Sequence, residues 1–294
     1  MCCPETSPEN VISAGLVLAA GRGTRFAAEA GDPFPKVLRK ALGKPLAGYV
    51  IDALMAAGIK DITLIVGFGA SLVKSEVGDA VSYALQTEQK GSGHAVACAK
   101  DAMRDLDGAL IVMCGDSPLF RSDTVSGIRR EHIRSKAAVT LASAELDDPF
   151  GYGRILRDSA GDVTGIAEEK CASETQKTIR EVNGGIYAFD SRWLFDNIDQ
   201  MAVNEAGEYN LTDMVRVAVE QGRRVSTIKC DPVEMMGVNT PDQLSAVEEI
   251  LRGRQRMAMK KRKIKLEDGR YLIYYTFSDK SNDSQPAKND GGAA

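Results

Sequence analysis

From about residue 11 to residue 238, short apolar runs alternate with amphipathic stretches, and that alternation leaves few architectures open to the chain. The apolar runs are Val11–Ala19, Ile62–Gly67, Tyr83–Gln86, Ala109–Cys114 and Ala138–Ala144. Between them, Leu46–Ala57 places Val50, Ile51, Leu54 and Met55 at helical spacing before Gly58, and His94–Met103 and Thr124–Arg134 read as further helices. Strand, helix and strand in repetition predict an α/β fold, a mostly parallel sheet with helices on both faces. A sheet covered on both faces explains why Leu16-Val17-Leu18 and Leu110-Ile111-Val112-Met113 contain no polar residue.

After residue 145 the rhythm breaks into short β-like pieces (Arg154–Leu156, Asp162–Ala167, Gly185–Phe189) among many glycines. Residues of about 145–235 therefore read as a β subdomain grafted onto the sheet, forming one wall of a cleft. Ligands in such folds sit at the carboxyl ends of the strands. Asp242 to about Met259 reads as a closing helix that ends in Lys260-Lys261-Arg262-Lys263. Ile264–Glu267 and Tyr271–Phe277 then form a hairpin about Asp268-Gly269, a pair suited to a type I′ turn. Residues 1–10 and 278–294 read as disordered ends. There is no hexapeptide or other internal period.

Charge and cysteine content exclude several classes. Residues 252–294 hold eleven Lys/Arg against five Asp/Glu, and the preceding 251 residues hold 26 against 36. So acidic a body is a poor match for nucleic acid, whose binding rests on phosphate neutralisation. The basic end reads as a solvated terminus with a strand pair that covers the sheet or joins a second subunit. A sharper reading is docking to an anionic membrane or an acidic partner. No apolar run nears the roughly 20 residues of a membrane span, and the start lacks a basic region before an apolar one. Six scattered cysteines without a CxxC pair suggest neither a disulfide framework nor zinc, so the expected location is the cytoplasm.

Directly after the first strand comes Leu18-Ala19-Ala20-Gly21-Arg22-Gly23-Thr24-Arg25. A glycine-rich turn there lets backbone N–H groups approach phosphate oxygens. It lacks the third glycine of a dinucleotide fingerprint, where Phe26 stands, and the Gly-Lys-Ser/Thr of a Walker loop. Arg22, Arg25 and Lys36 (in Pro35-Lys36-Val37-Leu38) suit a polyphosphate; the bland alternative is a tight turn with solvated arginines. Asp116, after Gly115 at a strand's carboxyl end, is placed either for a phosphate-bound Mg²⁺ or as a helix cap. His94 and Cys98, four apart on a helix without further ligands, read as packing rather than zinc. Cys114 and Met235-Met236 read as core, and Cys2-Cys3 as part of an unordered end.

In order along the chain stand Leu-Ala-Ala-Gly-x-Gly-Thr-Arg (18–25), Pro-Lys-Val-Leu (35–38), Gln86 and Glu88-Gln89-x-Gly91-Ser92-Gly93-His94-Ala95. They are followed by Gly115-Asp116, Gly151-Tyr152-Gly153-Arg154-Ile155, Glu168, Asn183 and Gly237-Val238-Asn239. Together these resemble the uridylyltransferase domain of the GlmU family, among the sugar-phosphate nucleotidyltransferases, over about residues 11–250. The resemblance implies a Rossmann-like, GT-A-like nucleotidyltransferase fold with an inserted sugar-binding subdomain. It implies that Leu18, Ala19, Ala20, Gly21 and Gly23 line the nucleotide, with Ala20, Gly21 and Gln86 reading the uracil edge and Gly91 and Ser92 completing the base and ribose pocket. Arg25 and Lys36 would hold the triphosphate as the catalytic cations. Asp116 and Asn239 would bind Mg²⁺, and Gly153, Glu168 and Asn183 would hold the sugar.

The implied partners are UTP and a sugar 1-phosphate, most readily N-acetylglucosamine 1-phosphate. A homo-oligomer joined through the C-terminal extension is possible, and no membrane or nucleic acid is expected. Departures gather on the sugar side: Phe150 for a small hydroxyl residue, Asn183-Gly184-Gly185, Asn210 after Gly207-Glu208-Tyr209, and Cys171 for an acidic residue. The loop between Arg25 and Lys36 is also longer, around Ala27–Phe34. Another hexose 1-phosphate therefore stays open as acceptor. So do a cytidylyl- or guanylyltransferase with a non-sugar acceptor and a non-catalytic nucleotide-sugar sensor. The left-handed β-helix of the family's acetyltransferase half has no repeats here, so no acetyl transfer is expected.

Overall fold

The computed structural model describes residues 13–24, 26, 34–265 and 271–277. They fall into two compact units that divide after Val247. The expected disorder at 1–10 and 278–294, the Asp268-Gly269 turn, Arg25 and most of the long loop at 27–33 lie outside the described residues.

The first unit is built on one sheet. Its strands are β1 (Ser13–Ala19), β4 (Asp61–Val66), β5 (Ser82–Leu85), β6 (Ala109–Cys114), β7 (Val139–Glu145), β10 (Glu181–Asp190) and β11 (Val225–Lys229), in the order β11-β7-β10-β6-β1-β4-β5. A two-residue pair, β2 (Lys40–Ala41) and β3 (Lys44–Pro45), lies apart. β1 runs parallel to both β4 and β6, so Leu16 faces Thr63 on one side and Val112 on the other. Side chains alternate between two cores. Leu16, Leu110, Val112 and Phe189 enter one, and Val17, Ile111, Met113 and Ala188 the other. Each such buried Leu, Val or Ile is worth about 1.5–3 kcal/mol.

Helices cover the sheet as the periodicity predicts. α1 (Leu46–Ala56) buries Leu46, Val50, Ile51 and Leu54, and α2 (Ala70–Val77) follows β4. α3 (Ser92–Ala97) is shorter than the predicted His94–Met103, because i→i+3 bonds such as Ala99 N to Val96 O tighten the chain into turns. α4 (Ser122–Ser135) buries Val125, Ile128 and His132.

The second half corrects the picture of a wholly grafted subdomain. Only β8 (Arg154–Arg157) and β9 (Val163–Ala167) stand off the main path, paired with each other and, through Arg154, with Val182. β10 instead inserts antiparallel between β6 and β7, with Ile186 opposite Met113. Its Ile186 and Ala188 are buried in one core and its Tyr187 and Phe189 in the other, which only an interior strand allows. α5 (Glu174–Lys177), α6 (Ser191–Asn197) and α7 (Asp213–Glu220) complete this half.

α8 (Pro241–Ala258) runs from the first unit into the second, where β12 (Met259–Lys265) pairs antiparallel with β13 (Tyr271–Phe277). Lys260–Lys263, expected at a helix end, are therefore strand, in register with Ile273–Thr276. Lysine's mild helix preference yields to seven paired positions opposite a β-branched and aromatic run. Among the described residues no helix is long and apolar enough to cross a membrane.

His132 makes a measurable contribution to this fold. It is 5% exposed, with Nδ1 3.1 Å from the Thr140 hydroxyl. Burial pushes its pKa from 6.5 down to about 4, against the opposing pull of the Asp190 carboxylate. As pH falls below 6.5 the unfolded imidazole takes a proton that the folded one refuses, so stability is present above 6.5 and lost down to about 4. The full loss is about 3 kcal/mol. His132→Gln should flatten the pH dependence of Tm across that window, as read by thermal melts at half-unit pH steps.

Candidate functional site

β1 lies between β4 and β6, so the chain winds outward in both directions from it and a crevice opens beyond the carboxyl ends of β1 and β6. The loop after β1 (Ala20–Thr24) and the turn after β6 (Gly115–Pro118) form its two lips. Gly115 N donates to Leu18 O at 2.9 Å and joins them. The crevice holds a cleft of about 400 Å³ lined by Leu18, Ala20, Gly21, Gly23, Lys36, Gln86, Gly91, Ser92 and Asp116. Nine of the residues expected around the nucleotide are thus brought together. Ala19 faces the interior instead, at 2% exposure.

Gly23 has φ +60°, and a Cβ there would lie 2.8 Å from Lys36 Cβ, so the loop closes directly onto the lysine. The chain on either side of 27–33 is gripped by Arg39, whose guanidinium lies 4.8 Å from the Phe26 ring and 4.9 Å from that of Phe34. Lys36 Nζ forms an ion pair with Asp116 and donates to Asn239 Oδ1 at 2.9 Å. Three residues from three separate segments therefore meet at one point. Asp116 is held by Val238 N, which donates to its carbonyl at 2.9 Å; it does not cap a helix. Asn239 is held at the start of α8, where its N–H donates to Gln243 Oε1 at 2.7 Å. The neighbouring Cys114 thiol is pushed up to about 12 by burial and by the Asp116 charge, so it remains a thiol at neutral pH.

On the opposite wall, Gln86 is 3% exposed and follows β5. Its Nε2 donates to Gly91 O at 3.1 Å and lies 3.0 Å from His94 Nδ1. The loop at 90–93 is clamped by the 209–211 segment. Tyr209 N donates to Lys90 O and Gly93 N to Tyr209 O, both at 2.8 Å, and Leu211 N donates to Ser92 Oγ at 3.0 Å. Arg22 Nε reaches Gln89 Oε1 at 3.3 Å across the cleft mouth.

Gly153, Glu168 and Asn183 gather separately, outside the lining of that cleft. Asn183 N donates to Gly153 O at 2.8 Å, and a Cβ on Gly153 would lie 3.5 Å from Glu168 Oε2. Glu168 Oε1 accepts the Thr212 hydroxyl at 2.7 Å. Asn183 Nδ2 donates to the buried Tyr187 hydroxyl at 2.6 Å, and its Oδ1 accepts from Gly185 N. Burial raises the Tyr187 pKa, so that hydroxyl stays protonated. Gly184 has a packing reason for its departure, since a Cβ would lie 2.9 Å from Ala142 O. Phe150 projects into solvent at 76% exposure.

Sequence reasoning missed Thr212, Tyr187 and the buried Arg154. The Arg154 guanidinium bonds Glu169 at 2.7 Å and the Tyr152 carbonyl, and Glu169 in turn accepts from Gly151 N, so the pair shapes the Gly151–Gly153 turn. Arginine directly after Gly-Tyr-Gly was the available signal for Arg154. Tyr187 and Thr212 become visible only through their three-dimensional neighbours.

A family model described as nucleotidyl transferase matches residues 14–232. Among curated proteins, the bifunctional protein GlmU of Syntrophotalea carbinolica is 44% identical over 244 residues, which cover 82% of this chain and 52% of that protein. GlmU of Pelotomaculum thermopropionicum is 44% identical over 243 residues, with the same two coverages. The chain spans about half the length of the curated relatives it matches. Among solved structures, a Bacillus anthracis protein assigned as a glucose-1-phosphate thymidylyltransferase, determined with sucrose, shares the fold. Its TM-score is 0.69 at 20% identity, over 82% of this chain and 95% of that one. The family match runs from β1 to just past β11 and takes in both lips of the crevice, and on that ground the chain belongs to the nucleotidyl transferase family and is a nucleotidyltransferase.

Proposed function

We propose that the chain transfers the uridylyl group of UTP to a sugar 1-phosphate, with N-acetylglucosamine 1-phosphate as acceptor, and releases pyrophosphate. The observation that carries this is the meeting of Lys36, Asp116 and Asn239 beside a glycine loop whose cleft also holds Gln86. The likeness to GlmU proteins supports the choice of nucleotide and acceptor.

Asp116 and Asn239 bring a carboxylate oxygen and an amide oxygen to one point, and hard oxygens are what Mg²⁺ takes from a protein when phosphates and water supply its other ligands. Bound there, Mg²⁺ would offset the charge that develops on phosphate oxygens. The chain's own groups do the rest. Backbone N–H groups of the Ala20–Thr24 loop and the Lys36 ammonium hold the triphosphate, and Gln86, Gly91 and Ser92 hold the nucleoside. Glu168, steadied by Thr212, and Asn183, steadied by Tyr187, face the sugar hydroxyls beside Gly153. An acceptor phosphate oxygen attacks the α-phosphorus in line and pyrophosphate departs. No covalent enzyme intermediate forms, which agrees with a Cys114 thiol held up to about 12. Catalysis is then positioning and charge stabilisation.

Pyrophosphate release, measured with Mg²⁺ across UTP, dTTP, CTP, GTP and ATP against a panel of sugar 1-phosphates, tests the proposal. UTP with N-acetylglucosamine 1-phosphate should give the highest kcat/KM. A different sugar would tie Phe150, Gly184 and Asn210 to a changed acceptor, and silence with every sugar would overturn the reading. In the same assay Asp116→Asn should raise the half-saturating Mg²⁺ concentration by more than about tenfold, the least that even an outer partner of a metal costs when lost.

A further inference from the structure

The Gln86 carboxamide can offer the cleft either its oxygen or its NH₂ group, and the two ends recognise different bases. Its surroundings decide which. One hydrogen of Nε2 goes to Gly91 O at 3.1 Å, and a carbonyl can only accept, so the NH₂ end must lie on that side. The second hydrogen goes to His94 Nδ1 at 3.0 Å. That nitrogen must then be the unprotonated one, which puts the ring proton on Nε2, 4.0 Å from Cys98 Sγ. Both donors of the amide are spent inside the wall, and Oε1 makes no bond among the described residues. Flipping the amide would set Oε1 against the Gly91 carbonyl, an obligate acceptor, and would require the His94 ring proton to move from Nε2 to Nδ1.

We propose that His94 is a positioning residue for base selection: it accepts from Gln86 Nε2 and so keeps the Gln86 oxygen turned to the cleft. The inference rests on the uridylyl reading above and on Gln86 facing the base. An outward oxygen accepts the N3–H of uracil. Cytosine has a lone pair at N3, and two acceptors facing each other repel. The two pyrimidines have the same size, so steric fit does not separate them, and at N3 it is this amide orientation that tells them apart. A buried donor or acceptor left unmatched costs more than a matched bond contributes, which makes a single oriented amide an effective filter. His94 itself touches no substrate. Its place in the first turn of α3, directly after the loop clamped by Tyr209 and Leu211, keeps the accepting nitrogen from moving with the ligand.

The test measures kcat/KM for UTP and for CTP in the wild type and in His94→Leu, His94→Phe and His94→Asn. Leu and Phe offer no acceptor, whereas the Asn amide oxygen can stand near the position of Nδ1. The UTP-to-CTP ratio should fall about tenfold or more in the Leu and Phe variants, mostly through KM for UTP, and return most of the way in Asn. Circular dichroism melts confirm that each variant is folded. Should either acceptor-free variant fail to fold, the other carries the comparison. An unchanged ratio in a folded Leu or Phe variant of a UTP-selective enzyme overturns the inference alone. Equal losses for both nucleotides would make His94 a packing residue and overturn it too. A wild type that takes CTP as readily as UTP would count against the uridylyl reading and this one together.

Discussion

Alanine in place of Lys36 should lower turnover by about 10²–10³, the scale of losing one preorganised transition-state donor. The Lys36 ammonium is the cation at which Asp116 and Asn239 converge, and its side chain is 15% exposed. In the proposed reaction its removal would take a fixed positive charge from the place where the leaving pyrophosphate gathers negative charge. Water that fills the gap must reorient during the reaction, which the ammonium does not. The loss should therefore appear in kcat more than in KM. The fold has less at stake, because the lysine stem lies against Gly23 in a loop and not in either core. A Lys36→Ala protein with wild-type Tm and near-wild-type kcat would remove the lysine from the chemistry. Lys36→Arg should recover little, since a planar fork cannot reproduce a compact point charge between two oxygens.

Gly91→Ala should cost about 10² or more in kcat/KM, the penalty that a displacement of about 1 Å imposes on a positioned substrate. Gly91 has φ +93°, and a Cβ there would lie 2.5 Å from Tyr209 O and 2.9 Å from Tyr209 N. Those are backbone atoms that already bond Gly93 and Lys90, so they cannot retreat without opening the clamp. The same displacement pulls Gly91 O from Gln86 and Ser92 from Leu211. Gly207→Ala is the matched control. It has φ +77° but nothing within 4 Å of a new Cβ, so it should show only the conformational penalty of about 1–2 kcal/mol and nearly unchanged KM for the nucleotide. If the two variants behave alike, backbone strain and not the clamp governs the loop.

The parallel half of the sheet was legible because its strands advertise themselves. Leu16–Leu18 and Leu110–Met113 are apolar on both faces, and each is followed by a helix of clear period. Part of the cleft was legible for a related reason: close backbone approach needs glycines at fixed places, so Gly23, against Lys36, and Gly91, against Tyr209, mark it in the chain itself. β10 was harder to read. Asn183-Gly184-Gly185 resembles a loop, yet a register shift between Asn183 and Tyr187 lets the strand continue through it. Lys260–Lys263 were misread because local preference is weak and the partner strand, Tyr271–Phe277, comes later in the chain. Tyr187 and Thr212 escaped notice because each acts through one hydrogen bond to a residue 4 or 44 positions away, a relation that no spacing rule encodes.

The insertion of β10 between β6 and β7 also sets a schedule for the growing chain. β1, β4, β5 and β6 are complete once Cys114 has emerged, but the open edge of β6 waits about seventy residues for Ile186 and its neighbours. At synthesis rates of about 5–20 residues per second that wait is roughly 4–15 s. Throughout it, an apolar strand offers unpaired backbone groups to any passing segment. β7 cannot close the gap by itself, since in the finished sheet it never touches β6. Anything that slows translation between residues 115 and 190 lengthens that exposure, so the yield of soluble protein should depend on codon choice there more than in the stretch before it.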